Sequence, residues 1–199
     1  AGSAEDGTAN RLSLHLLRLG YTLEELVVVG LAIRPRSRAV IRDRFVHRLI
    51  IPIADSSGRV VGFGARVLGS DSTGPKYLNS KDSPLFHKSQ VLFGLDLAKS
   101  HARREGVLVL VEGYLDVIGL HEAGIRHVAA CLGTALSEKQ LMLAAQQSLQ
   151  RRVLLSMDSD EAGVQAVLRL HERRVLQAAY AAGVDVGIVS LPEGYKDPD

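Results

Sequence analysis

The second half of the chain alternates two hydrophobic textures. Short, nearly continuous apolar runs, "GVLVLVEG" (106–113), "HVAACLG" (127–133), "RVLLSMD" (152–158) and "VDVGIVSLP" (184–192), are separated by longer stretches in which apolar and polar residues mix. The runs predict four strands, and the stretches between them predict helices over 114–124, 137–149 and 160–182. Gly124 and Gly183 close the first and last of these helices. Ser137 with Gln140 starts the middle one with a capping box. Strands apolar on both faces and separated by helices predict a parallel sheet covered on both sides. Such sheets bind ligands at the carboxyl ends of their strands.

The first half reads differently. Residues 10–29 predict one or two short helices. "LIIPI" (49–53) and "RVVGFGARV" (59–67) predict a β-hairpin turning at "DSSG", where Gly58 supplies a permissive backbone. Residues 70–89 are rich in Gly, Pro, Ser and Asp and predict a long loop, a kind of segment that often carries function. "LFGLDLAKSHARRE" (92–105) then starts a helix. The fold class expected is α/β, a parallel sheet flanked by helices and preceded by a smaller α+β part. The pattern switches near Gly106, which predicts lobes over residues 1–97 and 98–199, meeting near 95–105 with a cleft between them.

Composition changes this picture little, and charge changes it more. At 46% hydrophobic and 23% charged, 199 residues suffice for a buried core. A single cysteine, Cys131, excludes an internal disulfide and fits a reducing, cytoplasmic compartment. Cys131 lies in an apolar run and reads as a core residue, and with His127 it makes too few ligands for zinc. No apolar stretch approaches the roughly 20 residues of a membrane span, so no membrane partner is expected. The net charge of +2 hides a segregation. Residues 1–100 hold 14 Lys+Arg against 9 Asp+Glu, a net of +5, and residues 101–199 hold 10 against 13, a net of −3. Six arginines and one acid fall within residues 34–48, "RPRSRAVIRDRFVHR". Either this is a solvated charged surface, or a polyanion is held beside an acidic centre.

The acids cluster by topology. The first predicted strand ends at Glu112, with Asp116 in the following helical turn; the third ends in "MDSDEAG" with Asp158 and Asp160; the fourth leads to Asp197 and Asp199. A parallel sheet brings all of these to one edge. Taken singly, each has an ordinary explanation: "DSD" as a loop with an N-cap, Asp116 as a complement to a helix dipole, "DPD" as a turn. Taken together they conflict electrostatically. Two carboxylates about 6 Å apart repel by roughly 3 kcal/mol at an effective dielectric near 20. Protons or cations must relieve that cost, and hard oxygen ligands select Mg²⁺, Mn²⁺ or Ca²⁺ over zinc.

An EG turn, DxDxxG two strands later and an acidic DPD together resemble the toprim domain shared by primases, topoisomerases and some nucleases. The stretches "RFVHRLIIPIADSSGRVVGFGARVLG", "PKYLNSKDSPLFHKS", "LFGLDLAK", "VEGYLDVIGLHEAGI", "LGTALSEKQ" and "MDSDEAG" narrow the resemblance. From about Arg44 to Asp199 the chain is similar to the RNA polymerase core of bacterial DnaG-type primases. The resemblance implies a toprim-type sheet over 98–199 behind a basic α+β subdomain over 1–97. It implies an enzyme that makes short RNA primers on single-stranded DNA by metal-dependent nucleotidyl transfer. It also implies Mg²⁺ or Mn²⁺, as two ions, held by Glu112, Asp116, Asp158, Asp160, Asp197 and Asp199. Glu112, Asp158 and Asp160 would be catalytic, with Glu112 either a ligand or the base for the primer hydroxyl. Arg48, Arg66, Lys76 and Lys88 would line a groove for nucleic acid or nucleotide, joined by Tyr77 and Asn79. Phe86 belongs to the same loop, with loop packing as its alternative. The partners implied are single-stranded template, ribonucleoside triphosphates and an RNA–DNA hybrid.

The chain departs from the family at several places. Ser159 stands where Gly is common, and Val46 and Ala54 stand where Arg is frequent. No zinc-ligand cluster precedes the core, so no zinc is expected in this piece. A replicative helicase and a single-strand-binding protein would be reached through regions outside it. Two rivals remain, a toprim nuclease or topoisomerase piece and a nucleic-acid-binding module without catalysis.

Overall fold

The structure, a computed structural model, describes residues 9–34, 41–68, 74–132, 135–158 and 161–190. Its contacts divide the chain into two compact units, Ala1–Ile53 with Val60–His87, and Ala54–Arg59 with Lys88–Asp199.

The first unit opens with α1 (Arg11–Arg18) and α2 (Leu23–Val28). In α2, Thr22 Oγ1 accepts from the Glu25 amide at 3.2 Å while Glu25 Oε2 accepts from the Thr22 amide at 2.7 Å, a reciprocal cap. Asn10 gives α1 no such cap. Its orphan amides are taken instead by Asp43, a buried carboxylate that accepts from Leu12 N at 2.9 Å and Ser13 N at 2.8 Å. Asp43 belongs to a two-stranded antiparallel ribbon, β1 (Ala32–Ile33) with β2 (Arg42–Asp43). The hairpin follows as β3 (Arg48–Ala54) and β4 (Val60–Val67), as the sequence predicts. At its turn Asp55 Oδ1 accepts from Ser57 N at 2.8 Å and Arg59 N at 3.1 Å, and Gly58 takes the left-handed φ of 87°.

One expectation changes here. The predicted 70–89 loop contains a third strand, β5 (Tyr77–Asn79), antiparallel to β4 with Gly64 opposite Asn79 and Arg66 opposite Tyr77. Three residues between turn-forming neighbours are too short for alternation to show; the pairing with β4 makes the strand. Phe86, from the end of the same segment, is fully buried. A Cβ on Gly62 would lie 3.0 Å from its ring, so Phe86 serves as loop packing.

The second unit starts with a 3₁₀ turn (Lys88–Gln90) and runs α3 (Leu95–Glu105), β6 (Val107–Val111), α4 (Tyr114–Glu122), β7 (Val128–Ala130), α5 (Glu138–Ala145), β8 (Arg152–Leu155), α6 (Glu161–Glu172), α7 (Val175–Ala181) and β9 (Asp185–Ile188). The four strands form one sheet in the order β7-β6-β8-β9, parallel throughout. Leu108, Leu110, Ala129, Cys131, Val153 and Leu155 belong to a core shared with Leu95 and Ala98 of α3, Leu141 and Ala144 of α5, and Ala179 of α7. The alternate positions Val109, Val111, Val128 and Ala130 pack with Val117 and Leu120 of α4. Both faces of the central strands are thus covered, which is why those strands read as unbroken apolar runs.

The predicted 160–182 helix is two helices. Arg174 adopts a left-handed φ of 59° and starts α7 after α6 has ended. A non-glycine residue in that conformation carries no sequence signal, so pattern alone ran the two together. The helix predicted from Leu92 begins three residues later, because Phe93 pairs with Ala130 at the sheet edge and Gly94 turns at φ 75°.

Candidate functional site

β6 and β8 are the central strands, paired in parallel with Leu110 opposite Leu155. Ser156 N carries the ladder one step further, donating to Leu110 O at 2.8 Å. The residues just past the two strands, Glu112 and Asp158, are therefore brought together. Asp158 N donates to Glu112 Oε1 at 3.3 Å, and Asp158 Oδ1 is sealed from solvent. Asp116, one helical turn on from Glu112, folds back so that its Oδ2 accepts from Gly113 N at 2.7 Å. Main-chain amides thus position two of the acids expected at this edge. Asp160, Asp197 and Asp199 lie outside the described residues. Among the described residues no three His, Cys, Asp or Glu side chains gather into a metal cage. The carboxylates that are described offer oxygen donors alone, the set that suits a hard divalent cation.

Gly163 is a site residue that residue-type reasoning overlooked. It lies buried in the first turn of α6, where an added Cβ would run into the Asp158 carbonyl oxygen and come within 2.8 Å of its carbon. Only glycine lets the helix pass that close to the strand end carrying Asp158. The available signal was a glycine inside a helical pattern, which costs roughly 1 kcal/mol against alanine and asks for a packing reason. Cys131, just past β7, is buried. Burial, reinforced by the Glu112 charge, pushes its thiol up to about 12, so it stays protonated and is a core residue.

The basic positions assemble on the three-stranded sheet. Arg66 and Tyr77 are cross-strand partners, with the guanidinium 5.9 Å from the ring centroid. Lys76 Nζ lies 5.6 Å from the same ring. Arg48 Nη1 donates to the Pro75 carbonyl at 2.8 Å, next to Lys76 in the chain. Asn79 is held through its carbonyl, which accepts from Arg44 Nη2 at 2.8 Å. Arg44 was hidden in the arginine-rich run 34–48. It is partly buried, its Nε is sealed from solvent with no hydrogen-bond partner among the described residues, and burial lowers its pKa. Lys88 belongs to the second unit, where its carbonyl accepts from Gln140 Nε2 at 3.0 Å.

Comparison with known proteins agrees with both halves of this description. Residues 2–99 match the family described as DNA primase catalytic core, N-terminal domain, and residues 109–199 match the family described as Toprim-like. A DNA primase of Synechocystis sp. is 42% identical over 179 residues, which is 90% of this chain and 28% of the relative. The solved Aquifex aeolicus primase, comprising its zinc-binding and RNA polymerase domains, superposes with a TM-score of 0.79 at 40% identity, covering 100% of this chain and 45% of that one. A DnaG primase catalytic domain solved bound to single-stranded DNA superposes at 0.77 with 34% identity over 96% of this chain and 57% of its own. The fold and the strand-end acids define a toprim-type domain preceded by an antiparallel basic module. The chain belongs to the family of bacterial DNA primase catalytic cores. It spans under a third of the length of the Synechocystis relative.

Proposed function

We propose that this chain carries the nucleotidyl-transfer centre of a DNA primase, making short RNA primers on a single-stranded DNA template for replication. The observation that carries the reading is the Glu112–Asp158 contact at the ends of the two central strands, in a chain of the primase-core family. Glu112, Asp158 and Asp160 would hold Mg²⁺ or Mn²⁺, with Asp116, Asp197 and Asp199 completing a site for two ions. When bound, such ions neutralise phosphate charge and lower the pKa of the attacking hydroxyl. Glu112 serves as a ligand or accepts the proton of the primer 3′-hydroxyl. The main-chain hydrogen bonds to Glu112 and Asp116 fix both carboxylates before substrate arrives, so little reorganisation is left for the reaction.

Arg48, Arg66 and Lys76 take the phosphates of template or product, independently of sequence. Tyr77, flanked by Arg66 and Lys76, offers an exposed ring for base stacking, and Asn79 lines the same strand. Lys88 takes nucleotide phosphate. The substrates are ribonucleoside triphosphates, and the product is an RNA–DNA hybrid. Helicase and single-strand-binding partners would act through parts of the longer relatives that this chain does not span. The work is that of a cytoplasmic, nucleoid-associated replication enzyme.

The test is incubation of the chain with Mn²⁺, ribonucleotides and single-stranded DNA. Template-dependent oligoribonucleotides support the reading. Cut DNA would make the chain a toprim nuclease, and binding without either product would make it a nucleic-acid-binding module.

A further inference from the structure

We infer that Gln140 is a positioning residue for nucleotide binding, which sets Lys88 on the acid-bearing edge of the sheet by gripping the backbone of the Lys88–Val91 turn. The inference deepens the reading above and rests on it for the nature of the ligand.

Three observations carry it. First, Gln140 is a fully buried polar side chain that uses both of its amide hydrogens and engages its oxygen. Its Nε2 donates to Lys88 O at 3.0 Å and to Val91 O at 2.9 Å, and its Oε1 accepts from Ser137 N at 3.0 Å. Two carbonyls on one side and an amide on the other leave only one orientation of the group. Second, the same helix start holds the middle of the turn, since Ser137 Oγ donates to Ser89 O at 2.6 Å. Capping needs only the Ser137–Gln140 pair, so the two bonds from Nε2 and the bond to Ser89 go beyond it. They secure a segment 48 to 52 residues away in sequence. Third, the direction of the chain places that segment. Phe93 and Ala130 exchange both backbone hydrogen bonds in an antiparallel bridge, with Phe93 N to Ala130 O at 2.9 Å and Ala130 N to Phe93 O at 3.0 Å. Ala130 is the last residue of β7 and lies in register with Val111, the residue before Glu112. Antiparallel to β7, the residues before Phe93 run past the carboxyl end of that strand. The Lys88 turn is thereby on the side of the sheet where Glu112 and Asp158 stand.

Lys88 consequently differs from Arg48, Arg66 and Lys76. Those three are carried on the antiparallel sheet, whereas Lys88 is bolted to the unit that carries the acids. A cation fixed on the acids' own scaffold suits the triphosphate of a nucleotide whose reacting phosphate lies at those acids. Gln140 touches no substrate; it fixes where the lysine begins.

The test is a double-mutant cycle in the intact chain with Gln140→Met, Lys88→Ala and the pair. Methionine keeps the volume and removes both donors. The first readout is the affinity for a fluorescent GTP analogue with Mn²⁺, by anisotropy. Lys88→Ala should weaken it about 10-fold, Gln140→Met about 5-fold, and the pair about 10-fold, because residues acting through one contact are not additive. In primer synthesis KM for the incoming nucleotide should rise, with kcat held within about twofold. Affinity for single-stranded DNA should be unchanged. If Gln140→Met does not fold, Ser137→Ala replaces it in the cycle with an expected loss of about twofold. Independent losses, about 50-fold in the pair, or an equal loss of DNA affinity, would overturn the inference and make Gln140 ordinary packing. Wild type that binds the triphosphate but makes no primer would overturn the functional reading alone, with the cycle still decided by binding. Wild type that binds no triphosphate would overturn both.

Discussion

In the antiparallel unit Arg48 reaches across to the Pro75 carbonyl, and Arg66 and Lys76 flank the Tyr77 ring. In the parallel unit Glu112 and Asp116 sit at strand and helix ends on main-chain amides. The first unit carries charge on long side chains along strand faces. The second carries it on short side chains whose backbone is set by the ladder itself. A short carboxylate held by N–H groups loses little rotamer freedom and stays where the fold puts it, whereas a lysine or arginine keeps its reach and adapts. The difference suits the two tasks proposed above. Chemistry on a phosphate needs fixed geometry, and holding a polyanion needs charge at about the right place.

If this contrast is sound, substitutions in the acid unit act in steps and those in the basic unit act by degrees. The sharpest break is Glu112→Gln with Asp158→Asn, which keeps the shapes and the Glu112 acceptor. Primer synthesis by the pair should fall at least about 1,000-fold, a loss of several kcal/mol of transition-state stabilisation. The Mn²⁺-induced rise in thermal stability, worth about 2.7 kcal/mol in wild type at a hundredfold excess over the dissociation constant, should vanish with it. A double variant that still melts higher with Mn²⁺ would remove these acids from the site. Next in size is Gly163→Ala, whose methyl group meets the Asp158 carbonyl. Overpacking of this kind should cost about 1–3 kcal/mol in urea unfolding and should also blunt the Mn²⁺ response, although no charge has changed. Lys76→Ala should be graded. The log–log salt slope for single-stranded DNA should shrink by about 0.7, with affinity reduced alike for all sequences, as read by anisotropy across a salt series.

The smallest effect concerns Cys131, where burial next to Glu112 raises the thiol from 9.0 to about 12. The folded state then holds that proton more tightly than the unfolded one. This contribution is complete below about pH 9 and drains away as pH rises towards 12, by at most about 1.4 kcal/mol per pH unit. Urea unfolding of wild type and Cys131→Ala at pH 8 and pH 10 should therefore give a stability difference that narrows at the higher pH. A difference that stays constant would mean the thiol titrates normally.

Much of the parallel unit was legible because burial on both faces writes itself as "VLVLV" and "VLL", and because parallel strands share a carboxyl edge. That logic located Glu112 and Asp158 from sequence. What escaped was decided by contacts that no local pattern encodes. β5 exists through its pairing with β4, Asp43 caps a helix 30 residues away, and Arg174 breaks a helix without a glycine or proline to announce it. Gly163 and Gln140 were both visible as letters, one inside a motif and one as a cap. Their further duties, the close approach to Asp158 and the grip on the Lys88 turn, are set by what lies across from them.

The hydrogen bond from Asp158 to Glu112 spans 46 residues. Between those two positions the chain must lay down β7 and return to pair β8 with β6, so the two carboxylates meet only after a non-local parallel pairing has closed. Closing a loop of that length costs about 3 kcal/mol in chain entropy, and pairings of this kind are slow to form. As the chain is synthesised, Glu112 emerges first and waits for its neighbour. The acidic edge consequently requires the β6–β8 pairing and is absent from chains that have not made it. A divalent-ion response measured during refolding would mark the moment at which the native topology is complete.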